Sequence, residues 1–153
     1  MHRNLRDVLG KFPTGVAVVT TVHGGHDVGL TINSFTSVSL VPPLVLWCLR
    51  RDSRCHPAFV TTPRFAVNVL AAGQRELAER FAGPGDRFRG IASRPGPEGL
   101  PLLEDVAAYL ICRTRRLIPA GDHVILIGEV VGHEMRPEPS LLFTAGRYST
   151  AGA

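Results

Sequence analysis

Runs of β-branched and apolar residues recur along this chain without the regular alternation with helices that a parallel sheet needs. GVAVVTTV (15–22), LVLWCL (44–49), FAVNVL (65–70), Tyr109–Leu117, His123–Val131 and the stretch near Leu141–Thr144 each read as a strand. His23-Gly24-Gly25-His26-Asp27 reads as a turn that returns the chain through Val28–Ile32, and Gly121-Asp122 as the turn between the two long strands. Helical spacing is confined to short segments. Leu5, Val8, Leu9 and Phe12 share one face ahead of Pro13; residues 54–62 surround Pro57; Gln74–Phe81 turns Leu77, Ala78 and Phe81 inward. Residues 83–101, rich in Gly and Pro, read as a loop. The expectation is a mainly β fold: an antiparallel, closed sheet with small helices at its edges. Nothing divides the chain, so residues 1–153 read as a single domain.

With 153 residues, 44% hydrophobic and 20% charged, the chain suits one core. No apolar run approaches the roughly 18 residues of a membrane-spanning helix, so no membrane partner is expected. MHRNLRDVLGKF has neither an apolar signal core nor a cleavage site. Cys48, Cys55 and Cys112 lack metal-type spacing and read as reduced thiols of a cytoplasmic protein. The net charge is +4, and sixteen of the seventeen basic residues are Arg. They are scattered rather than striped, and aromatics for base stacking are few, which argues against a nucleic-acid partner. An anionic phosphate ligand suits the same charges better. His23, His26, His56 and His133 are not spaced as metal ligands, and no hydrolase nucleophile motif or Walker A loop is present.

Four segments carry candidate chemistry, each with a plainer reading beside it. GLTINSFTSVSLVPP (29–43) strings Thr31, Asn33, Ser34, Thr36, Ser37 and Ser39 through an apolar context. Such side chains fill a core badly unless hydrogen-bonded, so they line either a polar-edged ring ligand or solvent and local turns. In Arg50-Arg51-Asp52-Ser53-Arg54-Cys55, Ser53 and Arg54 stand where a strand gives way to a helix, as a phosphate cradle or as an ordinary cap. Asp86-Arg87-Phe88-Arg89 either closes over a phosphate or is a surface loop. In Ala120-Gly121-Asp122-His123, His123 either meets a ring ligand, oriented by Asp122, or is structural.

Taken in order, Phe12-Pro13-Thr14-Gly15-Val16 with its VVTT strand, GLTINSFTSVSL-x-PP, VNVL, Gln74 with Leu77 and Phe81-Ala82, and GDH-x-I-x-x-G-x-V resemble the short-chain flavin reductases. These are the small reductase components of two-component flavin-dependent monooxygenases. The resemblance covers about residues 8–148. It implies an FMN-binding split β-barrel, typically a homodimer with flavin near the subunit interface. It implies hydride transfer from NADH or NADPH to FMN or FAD, with reduced flavin passed to a partner monooxygenase. Carried over by position, Thr31, Asn33, Ser34, Ser37 and Ser39 look like the isoalloxazine and ribityl wall. Ser53, Cys55, Arg87 and Phe88 look like the phosphate side. His123 is similar to the family His near the nicotinamide, with Tyr148 on the same side. Val41 and Cys55 depart from the family's usual Asp and hydroxyl residue, which leaves the choice between FMN and FAD open. Two other readings stand beside it: a flavin- or haem-binding member of the same fold without reductase turnover, and a basic nucleic-acid-binding barrel.

Overall fold

The computed structural model describes residues 2–150. Helix α1 (His2–Leu9) leads into strand β1 (Thr14–Gly15) and the hairpin β2 (Ala17–His23) and β3 (His26–Ile32). The hairpin turns on Gly24 and Gly25, both at positive φ (59° and 77°), where a Cβ would be strained. Next come β4 (Thr36–Leu40), β5 (Pro43–Arg50), helix α2 (His56–Thr61), β6 (Arg64–Val69) and helix α3 (Arg75–Ala82). The short strands β7 (Ser93–Pro95) and β8 (Pro101–Leu103) precede the long hairpin β9 (Ala108–Ala120) and β10 (His123–Met135). The hairpin β11 (Leu141–Thr144) and β12 (Arg147–Thr150) ends the described chain.

Seven strands make one antiparallel sheet in the order β3-β2-β6-β9-β10-β5-β4. Its two edge strands, β3 and β4, are consecutive in the chain yet do not pair with each other. The expected closure therefore fails at this seam, and the barrel is split. Ser34 explains the local geometry. The β4–β5 ladder pairs Thr36 with Leu46, which puts position 34 opposite Cys48. There the Cys48 N–H donates to Ser34 Oγ (2.9 Å), so a side chain takes the place of the next ladder bond.

The core is packed by alternation. On β5, Val45, Trp47 and Leu49 point inward, and on β10 Val124 and Leu126 do the same. Trp47 meets Phe59 and Phe65 edge to face, with centroids 5.0 and 5.9 Å apart. Gly128 is required in β10, because a Cβ there would lie 2.6 Å from the Phe65 ring. Asn68 is fully buried and fully used. Its Nδ2 donates to the Val18 carbonyl (2.9 Å) and Thr20 Oγ1 (3.1 Å), and its Oδ1 accepts from Leu103 N (3.0 Å). The Asn of the VNVL motif thus pins β8 to β2 and β6.

Three features differ from the sequence reading. The Gly/Pro-rich stretch is not loop throughout, since β7 lies inside it and pairs with β8, which starts at its last residue. A twelfth strand, β12, follows Thr144 and pairs with β11. The apolar face of α1 does not reach the core: Leu5, Val8, Leu9 and Phe12 are all exposed.

Candidate functional site

A cleft lies at the open seam. It has a volume of 260 Å³ and is lined by the end of β3 (Leu30, Thr31, Ile32), by Asn33 and Ser34, by Cys48 and Arg50 of β5, and by Ser53 and His123. His123 enters because β10 starts opposite the end of β5: His123 and Arg50 are cross-strand partners. The Arg51 N–H donates to the Asp122 carbonyl (3.0 Å), tying the 51–55 turn to the β9–β10 turn.

His123 Nδ1 lies 2.7 Å from Asp122 Oδ1. With the carboxylate accepting from Nδ1–H, the other ring nitrogen, Nε2, is left for a ligand. That contact holds the Asp122 carboxyl below the usual carboxylate range. Across the rim, Arg50 makes a bidentate pair with Asp52 (2.9 and 3.0 Å), which lowers the Asp52 carboxyl likewise.

Two hydroxyls of the anticipated wall are engaged inside the fold. Thr31 Oγ1 donates to the Ala78 carbonyl of α3 (2.6 Å), and Ser34 Oγ serves Cys48. The Asn33 amide is exposed and has no partner among the described residues. Ser53 Oγ accepts from Cys55 N (3.1 Å) and keeps its own proton to donate. Ser37 and Ser39 lie on the edge strand β4 and line none of the three clefts described here.

A second cleft of 240 Å³ holds Gly29, Arg54, Cys55, Arg87 and Phe88. Its arginines are bound to backbone. Arg87 Nε donates to the Gly83 carbonyl (2.8 Å) and one terminal nitrogen to the Gly29 carbonyl (2.9 Å), while the Cys55 thiol lies 3.5 Å away. Burial pushes the Arg87 guanidinium below its ordinary value. Arg54 donates to Gly85 O (2.9 Å), and Arg80 to Asp86 O (3.0 Å) and Arg89 O (2.6 Å). These three side chains fasten the 83–90 loop over the start of β3. Phe88 stacks edge to face on Phe81 at 4.9 Å. Gly29 allows this, since a Cβ there would come 2.6 Å from Phe81 and 3.2 Å from Phe88.

A third cleft of 190 Å³ lies between Val16, Thr31, Ile32, Asn33, Phe143 and Tyr148. It shares Thr31, Ile32 and Asn33 with the first. The structure therefore groups Thr31, Asn33, Ser34, Ser53 and His123 in one cleft, Cys55, Arg87 and Phe88 in a second, and Tyr148 in a third. Sequence reasoning missed Cys48, Arg50 and Phe143. Strand pairing alone brings them in, and no spacing signals it.

The donor set fits a flavin: an uncharged amide, a hydroxyl and an imidazole around the apolar side chains of Leu30 and Ile32. Among the described residues, no helix is long and apolar enough to cross a membrane.

Residues 9–152 match the family model described as flavin reductase like domain. A Rhizobium meliloti protein named for flavin reduction is 45% identical over 150 residues, which are 97% of this chain. The chain spans 48% of that relative's length. An NADH-dependent FAD reductase of Streptomyces globisporus is 46% identical over 94% of this chain and 82% of its own. The Mycobacterium tuberculosis reductase subunit HsaB of a flavin-dependent monooxygenase is 40% identical over 96% of this chain and 81% of its own. The solved structure of the Streptomyces globisporus NADH:FAD oxidoreductase SgcE6 in complex with NAD and FAD fragments superposes with a TM-score of 0.92 at 45% identity. That match covers 97% of this chain and 91% of the other.

Proposed function

The chain belongs to the flavin reductase-like domain family, and we propose on that premise that it is an NADH-dependent flavin reductase supplying reduced FAD or FMN to a partner monooxygenase. The observation that carries this reading is the convergence of Asn33, Ser53 and His123 on the 260 Å³ cleft at the barrel seam.

A flavin bound there accepts a hydride from NADH, and the organic chemistry is the cofactors' own. The protein's task is placement and polarisation. The Asn33 amide and the Ser53 hydroxyl donate to polar edges of the ring system and its side chain. Leu30 and Ile32 exclude water from its apolar part. His123, held by Asp122, presents Nε2 toward the nicotinamide. No side chain has to exchange a proton for hydride transfer, and the Asp122–His123 pair serves to hold the ring in place. Thr31 and Ser34 shape the wall through bonds they already make inside the fold, while Ser37 and Ser39, on the flanking strand β4, stand outside these clefts. Cys55, Arg87 and Phe88 form the neighbouring cleft for the phosphate side. Tyr148 lines the nicotinamide side from the third cleft, which shares Thr31, Ile32 and Asn33 with the first.

The same reading includes a homodimer and a cytoplasmic location. Leu44, Leu46 and Cys48 of β5 and Ile118, Ile125 and Ile127 of β9 and β10 are only half-buried and lie next to one another on the outer face of the sheet. A second copy covers this face, and the first cleft opens beside it through Cys48. The three thiols are free, as a reducing compartment keeps them. Residues 1–153 act as one unit in this scheme.

The test is NADH oxidation by purified protein with FMN, FAD and riboflavin in turn, repeated with NADPH. Turnover with at least one flavin, and faster with NADH, is expected; no turnover with any pair removes the proposal.

A further inference from the structure

Helix α1 lays none of its apolar side chains on its own protomer. Leu5, Val8, Leu9 and Phe12 share one face and are 56%, 62%, 64% and 78% exposed, and residues 3–9 are exposed on the other sides as well. The end of the helix is nonetheless fixed, because the Gly10 carbonyl accepts from Ala145 N (2.8 Å) in the turn between β11 and β12. Eight residues are too few to hold a helix in water by propensity, and such a helix owes its stability to burial of an apolar stripe. The stripe is present, but this protomer supplies nothing to cover it.

A surface of the matching kind lies along α3. A cleft of 660 Å³ separates α3 from the loop behind it, with Leu77, Pro84 and Ile91 as its apolar part and Glu76 and Glu79 among its charged lining. Leu77 and Ile91 each pack one side against the core and leave the other open. The charges are complementary. Arg3, Arg6 and Lys11 flank the α1 stripe, and none of them has an ion-pair partner among the described residues. Glu76 has none there either, whereas Glu79 is held by Arg75 (2.8 Å) and Arg80 by backbone carbonyls of the loop. A basic amphipathic helix fits an apolar groove that carries an unpaired carboxylate.

The two features stay apart in one protomer, yet both flank the last hairpin. The end of α1 abuts Ala145, and Arg75 at the start of α3 stands over the Tyr148 ring, its guanidinium carbon 5.5 Å from the centroid. Complementary surfaces on one side of a molecule can meet reciprocally across a two-fold axis. We propose that α1 is an exchanged arm, its apolar face seated in the α3 cleft of a second copy of this chain and Arg6 beside the partner's Glu76. A second copy is the occupant because both halves of the contact are carried by this one chain. The inference rests on the homodimer of the reading above and adds the arm to it.

Sedimentation equilibrium at low salt, where surface charges are least screened, is the test. The unaltered protein is a dimer. Leu9→Asp changes a side chain that is exposed in the protomer, so the fold survives, and it weakens the dimer about tenfold or more. Arg6→Glu and Glu76→Arg each set like charges against one another in both contacts and weaken the dimer several-fold. Mixed in equal amounts, these two variants recover the unaltered affinity, because each arm then meets a cleft of opposite charge. Docking within one chain would give no recovery on mixing. A lipid or a different protein as the occupant would leave self-association unmoved by all three substitutions. Either result overturns the exchange and leaves the homodimer standing. An unaltered protein that is monomeric overturns both, whatever its rate of flavin reduction.

Discussion

Asp122 Oδ1 and His123 Nδ1 are 2.7 Å apart, so the carboxylate of one residue fixes the ring orientation of the next. Because the imidazole donates to it, the Asp122 carboxyl stays ionised below its ordinary titration range. The sign follows: the contact is intact above the usual carboxylate value and is lost only as pH falls through the lowered one. Asp122→Ala should therefore lower kcat/KM for NADH by about tenfold through misplacement of the ring. Asp122→Asn, whose side-chain oxygen can still accept from Nδ1–H, should recover most of the loss. An unchanged kcat/KM in Asp122→Ala would show that the carboxylate does not orient the ring.

Arg87 joins two backbone segments distant in sequence, through the carbonyls of Gly29 and Gly83. Arg87→Ala leaves both without a charged donor in a half-buried place and should cost about 1.5–3 kcal/mol in urea unfolding. Arg87→Lys should recover little, because one ammonium cannot reproduce the fork that reaches both oxygens. Limited proteolysis should cut both variants earlier, within the 83–90 loop. Recovery of full stability by the Lys variant would refute the two-carbonyl account.

A side chain at position 29 collides with α3. Gly29→Ala places a Cβ 2.6 Å from the buried Phe81 ring and should destabilise by about 1–3 kcal/mol. Adding Phe81→Leu should make the double variant less unstable than the sum of the singles. Strict additivity would mean the two positions do not touch.

The Cys112 thiol is fully buried, and burial pushes it up to about 12 from an ordinary value of 9.0. Its folded-state value is raised, so its contribution is complete below pH 9.0 and fades as pH rises toward 12. The thiol alone should remove about 1.4 kcal/mol of stability per pH unit above its unfolded value. Guanidinium unfolding at pH 8 and pH 10 should show this slope, and Cys112→Ala should flatten it while lowering stability at pH 8. An unchanged slope in the variant would contradict the assignment.

The parts of this molecule that were legible in its sequence are those whose surroundings are set by nearby residues. LVLWCL and FAVNVL read as strands because each supplies core residues such as Trp47 and Phe65 directly. Strands β7, β8 and β12 have only three or four residues each, too few for a period to emerge. The site was legible as residue types but not as roles. That Thr31 would donate to Ala78, 47 positions away, depends on where α3 docks, and no local pattern encodes it. Likewise Arg75, Phe143 and Tyr148 meet only after a helix and the last hairpin are placed. The turn Gly121-Asp122-His123 was read correctly as a unit because its geometry is local, with adjacent side chains in contact.

The central claim is that hydride passes to flavin on this protein with His123 facing the donor. Anaerobic stopped-flow mixing of protein and FAD with NADH tests it directly through loss of the flavin's visible absorbance. The account predicts bleaching at a rate proportional to protein, slowed when the transferred hydrogen at nicotinamide C4 is deuterium, and about tenfold or more slower in His123→Ala. Bleaching no faster than in the absence of protein, or an unchanged rate in His123→Ala, would contradict it.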